Sequence, residues 1–280
     1  AGTRQGPREP ADGDGGELPS PNVRLRARRW GHGMGLHPNG SGLGSPRAVE
    51  EAAQTQDRRV RDRLEPGELR CSRIDRWWGT GEPLDGLAGR GLWMDLSWGG
   101  VEPRLRGPGY RFGSGRPARF QGSDGRILPV LVQPTELDDA LLTGPGAAAP
   151  LPEDGAALAG AYLLDEASRW VEPVVATLRP VRVEEGEGVL LDGLLGAARE
   201  RGLPIVSAER WATFSWQRLR AASGATLTRA GAGWQAALPD SLGVPLLLWV
   251  PGKDCEAPVP AGPASGPGCL LPPSEPGTPR

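Results

Sequence analysis

At 280 residues, with 32 basic against 34 acidic side chains and a formal net charge of −2, the chain has room for a sizeable core. It lacks the basic balance that a nucleic-acid-binding face requires. Glycine and proline, 43 and 30 residues, form about a quarter of the chain and gather toward the ends, which predicts a folded middle between loose tails. No apolar run approaches the roughly 20 residues of a membrane span, and Pro245 to Pro251, the best candidate, has the length of a single strand.

Residues 1–22 combine Gly, Pro and acidic side chains without hydrophobic periodicity and read as a disordered tail or linker. Ala1 carries no initiator Met and no signal pattern, so the chain reads as beginning mid-protein, as a processed form or a fragment. Arginine-rich Val23 to Trp30 is ambiguous and fits the last turns of a helix. Gly31-His32-Gly33-Met34-Gly35-Leu36-His37-Pro38-Asn39 follows and holds both histidines, the side chains that titrate near neutral pH unaided. Met34 and Leu36 make it a short buried strand, and Pro38 turns the chain with His37 at the mouth. Alternation puts His32 on the face of Met34 and Leu36 and His37 on the other. If the strand runs through position 37, the two rings do not share one metal ion, and His32 reads as structural.

Ser45-Pro46 opens a helix as N-cap and first-turn proline, with Glu50 and Glu51 at the positive end of its dipole. Its modest apolar face ends at Pro66-Gly67. Leu69 to Ile74 is a second strand, Pro83 to Ala88 a short helix, and Leu92 to Leu96 a third strand. Strand and helix alternating in this way predict parallel βαβ units, whose strand C-termini gather polar residues into a site. His37, Arg73 or Asp75, and Asp95 all fall at or near such ends.

A hairpin turning at Ser123-Asp124-Gly125 returns through Ile127 to Val132. Asp138 and Asp139 read either as metal or acid–base groups or, more simply, as part of a cap entering a short helix. Helices are expected over Ala156 to Val171, Val189 to Arg201 and Ala208 to Arg220, the last capped by Ser207, with strands at Val174 to Leu178 and Leu203 to Val206. Ala225 to Thr228, Trp234 to Leu238 and Pro245 to Val250 suit a small antiparallel sheet, and the chain after Pro251 reads as a second disordered tail. Of three cysteines, Cys255 and Cys269 allow a bridge, although free thiols suit the odd count better.

The Gly31 to Asn39 stretch resembles the Gly-His-Glu-Ile-Gly-x-His motif of the polysaccharide deacetylase (NodB-homology) superfamily. The Arg70-Cys71-Ser72-Arg73 strand, Gly91-Leu92-Trp93-Met94-Asp95, the Gly113-Ser114-Gly115-Arg116-Pro117 turn, Gln133-Pro134-Thr135 and Gly202 to Trp211 follow in the order of its bacterial members. The likeness spans roughly Trp30 to Arg218. It implies an α/β fold, an incomplete or distorted (β/α) barrel, which with the inserted hairpin takes 23–222; the small β element read from the residues takes 223–251 and the tail 252–280. It also implies a bacterial cytoplasmic or envelope protein that removes acetyl groups from N-acetylated sugars. In that chemistry an Asp and two His hold a divalent ion, usually zinc, a second Asp serves as base and a late His as acid.

His37 matches the first metal histidine. Ser41 stands where the second belongs, Gly33 replaces the motif glutamate, and Val181 to Glu185 lacks the late histidine. The paired aspartates would lie upstream of Ala1. Arg70 or Arg73 matches the site arginine and Asp95 its supporting aspartate, while Trp77, Trp78 and Trp98 suit stacking against sugar rings. One histidine does not make a catalytic zinc site, which takes three protein ligands. The expectation is therefore a carbohydrate-active hydrolase-like chain with a truncated or degenerate metal site. The alternatives are a non-catalytic glycan-binding module on the same scaffold, and a structural module in which His37 merely hydrogen-bonds in a loop.

Overall fold

The computed structural model describes residues 20–38, 45–61, 69–74, 82–99, 114–143, 151–179, 188–230, 233–237, 248–251 and 268–271. Asp75, Trp77, Trp78, Ser41, Cys255 and the Val181 to Glu185 segment lie outside them. The fold is mixed α/β with a central, mostly parallel sheet. Among the described residues the chain divides into two compact units. The first takes those within Ala1–Trp98, Pro117–Pro134 and Val206–Ala212, and the second takes the remainder.

The first unit opens with α1 (Pro21–Arg29), a helix capped by Ser20, which settles the ambiguous arginine-rich stretch. β1 (Met34–Leu36), β2 (Leu69–Ser72), β3 (Met94–Asp95), β4 (Ala118–Gln121) and β5 (Ile127–Val132) build a sheet of order β1-β2-β3-β5-β4. Every pairing is parallel except the β4–β5 hairpin. Pro129 has no N–H to give a ladder, and the β4–β5 register slips between Arg119 and Gln121, across the stretch that contains it.

Two helices connect the parallel strands, α2 (Pro46–Arg61) and α3 (Glu82–Ala88). Leu36, Leu69, Ile74, Leu84, Leu87, Leu92, Val130 and Val132 form the core with Ala53 and Val60 of α2. Buried apolar residues sit on β1, β2, β3 and β5, as parallel strands packed against helices require, while β4 at the edge of the sheet has none. Gly35 is required where it stands. A Cβ there would lie 2.9 Å from the Cys71 carbonyl oxygen, so β1 approaches β2 as closely as it does only without a side chain.

The second unit joins β6 (Leu137–Asp138) to β7 (Ala176–Thr177) in parallel. It packs α4 (Asp139–Leu142), α5 (Glu153–Trp170) and α6 (Gly188–Glu200) around Leu137, Ala156, Leu163, Leu190 and Leu194. α5 starts three residues before the expected Ala156 and ends on Val171, a β-branched residue in the left-handed conformation with φ 56°. α7 (Ala208–Gly224) begins in the first unit, and its later residues belong to the second.

Three expectations are corrected. Leu203 to Val206 is not a strand: Pro204, Ile205 and Val206 are exposed, and proline offers no N–H to a neighbour. β8 (Thr226–Ala230) and β9 (Gly233–Ala237) form a two-stranded hairpin, and the third segment, β10 (Leu248–Pro251), does not join it. Instead β10 pairs antiparallel with β11 (Gly268–Leu271), so the expected C-terminal tail contains a strand. No described helix is long and apolar enough to cross a membrane.

Candidate functional site

In a parallel sheet the strand C-termini open on one edge, and the first unit lines a groove there of about 410 Å³. That is the size range of small-ligand sites. Residues 32–37 form one wall, Cys71, Ser72 and Arg73 the next, and Leu96, Ser207, Ala208 and Glu209 complete it.

His37 sits one residue beyond β1 with an exposed ring. Two contacts hold it. Gln56 of α2 grips its backbone, the His37 N–H donating to Oε1 at 2.9 Å and Nε2 donating to the His37 carbonyl at 3.0 Å. The ring's Nδ1 lies 2.9 Å from the Arg73 carbonyl oxygen, which makes that nitrogen the N–H donor. Arg73 in turn donates from Nη1 to the Leu96 carbonyl at 3.0 Å. The ends of β1, β2 and β3 are thus tied together through polar groups at a common rim.

Asp95 lies beneath that rim with 0% exposure. Its Oδ1 accepts from Ser72 Oγ at 2.9 Å and Ser97 Oγ at 2.8 Å, and its Oδ2 from the Ser97 N–H at 3.0 Å. Ser97 Oγ also accepts from the Ile74 N–H at 2.7 Å. Burial pushes the Asp95 carboxyl above its ordinary range, and the Ser97 and Ser72 hydrogen bonds and the charge of Arg73 pull it back. With both oxygens engaged and no solvent access, Asp95 braces the strand ends. The supporting role expected from the sequence suits it better than contact with a ligand.

The two arginines divide. Arg73 is at the rim. Arg70 stacks over the Trp93 ring at 4.1 Å, and its Nε lies 3.8 Å from Glu209 Oε1. Trp98 is half-buried against the first core, with its ring 4.4 Å from that of Phe120. Trp77 and Trp78 lie outside the described residues. Cys71 reaches the groove, but burial, with the nearby charges of Glu209 and Asp95, pushes its thiol up to about 12, so it is neutral and unreactive near pH 7.

Sequence reasoning missed Gln56, Ser72, Ser97 and Glu209. Ser97, two residues after an aspartate at a strand end, carried a usable signal, since such spacing favours a local side-chain to backbone bond. Gln56 and Glu209 carried none, because α2 and α7 present many polar residues and only the fold selects these two. Asp138 and Asp139, in the second unit, are buried and close on Arg179. Its NH1 pairs with both carboxylates, and its backbone N–H donates to Asp139 Oδ2 at 2.6 Å. This arrangement favours their structural reading.

Among the described residues, no group of three or more His, Cys, Asp or Glu converges as metal ligands do. The ligand set implied for a divalent ion at His37 is thus not assembled by these residues. In comparisons with known proteins, no family model, no curated protein and no solved structure matches this chain.

Proposed function

We propose that the first unit is a carbohydrate-active module of polysaccharide-deacetylase type, derived from a distorted (β/α) barrel, whose groove takes an N-acetylated glycan. One observation carries this reading. His37, Arg73 and the Asp95 brace come from the ends of three consecutive parallel strands and meet at one rim beside an open groove. That is where α/β folds of this kind place their sites. The reaction class is hydrolysis of an acetamide: water adds to the carbonyl carbon, the C–N bond breaks, and acetate and a sugar amine leave.

A second reading, non-catalytic glycan binding by the same groove, is favoured by the engagement of both Asp95 oxygens and by the neutral Cys71 thiol. Neither group is available as a base or nucleophile. The two readings separate in one experiment. The chain is titrated with chitin oligomers and with peptidoglycan fragments while acetate release is followed, with and without added Zn²⁺. Saturable binding with acetate release supports the hydrolase, and binding alone supports the module. Absence of both rejects the glycan assignment.

A further inference from the structure

Gly33 and Glu209 are 176 positions apart in sequence and meet inside the groove. A Cβ placed on Gly33 would stand 3.0 Å from Glu209 Cβ and 3.3 Å from Glu209 Oε2. The φ of Gly33 is not in the left-handed region, so backbone conformation does not require glycine there. Space does. The missing side chain at position 33 is the room in which the Glu209 side chain lies.

The carboxylate is also aimed from behind. Arg70 Nε lies 3.8 Å from Oε1, and the guanidinium rests on the Trp93 ring, which restricts where it can go. Glu209 keeps 36% of its side chain exposed while standing in the groove wall. A glutamate in the first turn of α7 is favoured by the helix dipole alone, and that structural role would be served by a side chain turned to open solvent. This one is directed into a recess that a second element has been cleared to provide.

We infer that Glu209 is a ligand-contacting residue of the groove, a carboxylate acceptor for the hydroxyl or amide N–H donors of a sugar, and that position 33 is glycine to admit it. Sugar hydroxyls are donors in need of acceptors, and an ionised carboxylate offers two oxygens for adjacent donors. Arg70 is then a positioning residue. The inference rests on the glycan reading above and adds to it the side chain that reads the ligand.

The test compares wild type, E209Q and G33A for binding of a chitin trisaccharide by calorimetry, with thermal unfolding recorded for each. E209Q keeps the shape and removes the charge, so it is expected to fold as wild type and to bind at least about tenfold more weakly, the loss of a charge-assisted hydrogen bond. G33A is expected to lose binding similarly by displacing the carboxylate. In the double variant G33A/E209G the alanine at 33 is expected to cost little stability beyond that of E209G alone, because the Glu209 Cβ and carboxylate, the side-chain atoms nearest a Cβ at position 33, have both gone. Unchanged trisaccharide affinity in E209Q, with wild type binding, overturns the role of Glu209 and leaves the glycan reading standing. A folded wild type that binds no trisaccharide overturns both. Strict additivity of G33A and E209G in stability overturns the steric link between the two positions.

Discussion

Asp95 offers the sharpest test of how the rim is held. Its carboxylate accepts three hydrogen bonds at zero exposure. Removing it in D95A leaves the Ser97 N–H, which cannot rotate away, without its acceptor, and leaves the Ser72 and Ser97 hydroxyls to reorient. An orphaned buried donor costs about 1–3 kcal/mol, and the lost side-chain volume adds about 1 kcal/mol. D95A is therefore expected to lose about 2–4 kcal/mol of unfolding free energy. D95N should lose about 1 kcal/mol. Its amide oxygen can take the Ser97 N–H while its NH₂ faces two hydroxyls, and hydroxyls accept as readily as they donate. Burial raises the Asp95 carboxyl above its unfolded value, so its folded form is favoured by low pH and loses stability as pH rises through the folded pKa. The gap between D95N and wild type should accordingly move in favour of D95N on going from about pH 5 to about pH 8. Urea unfolding at both pH values measures all of this. Equal losses in D95A and D95N, or a D95A within about 0.5 kcal/mol of wild type, would show that these hydrogen bonds do not support the fold.

Three further outcomes are expected. Glu136 is 3% exposed, its Oε2 accepts the Val175 N–H at 2.7 Å, and its Oε1 has no hydrogen-bond partner among the described residues. Burial, with the charge of Glu172 adding to it, pushes the carboxyl up from 4.5 to about 8. Its stabilising effect is complete below the unfolded value and fades as pH rises through the folded one, a span worth on the order of 4 kcal/mol. E136Q should flatten that slope in denaturant melts taken between pH 4.5 and 8, and a slope identical to wild type would refute the assignment. V171G, which frees α5 from a β-branched left-handed C-cap, should raise stability by about 0.5–1 kcal/mol, read as a higher Tm. G35A sets a methyl 2.9 Å from the Cys71 carbonyl and should cost about 1–3 kcal/mol while weakening any ligand binding at the rim, because β1 leads directly into His37.

How much of the fold is legible in the sequence depends on the range of the forces involved. The strands ending at Leu36, Ser72 and Asp95 are legible because a buried parallel strand concentrates apolar residues within a few positions, and turn residues mark its ends. The same local logic finds the hairpin at Asp124-Gly125 and the Ser207-capped helix. It fails at Leu203 to Val206, where an apolar run at the right spacing pairs with no strand among the described residues. It also fails at β11, whose sequence Gly-Cys-Leu-Leu is too short to stand out from the Gly- and Pro-rich chain around it. Val171 reads as helical and is instead the residue that ends its helix, in a left-handed conformation that its β-branched side chain disfavours.

The candidate site divides in the same way. His37, Arg73 and Asp95 can be named from sequence because each falls at or just past the end of a strand, a rule about topology. Their roles cannot. Whether a carboxylate at a strand end is a reagent or a brace depends on whether donors surround it, and Ser72 and Ser97 decide that for Asp95 from 23 and 2 residues away. Asp95 is engaged in that way, and the described residue that lines the groove with a part-exposed carboxylate is Glu209, on a helix far along the chain. A glycine at position 33, read in the sequence only as a departure from a familiar motif, thereby becomes the point at which the two distant segments are fitted to each other.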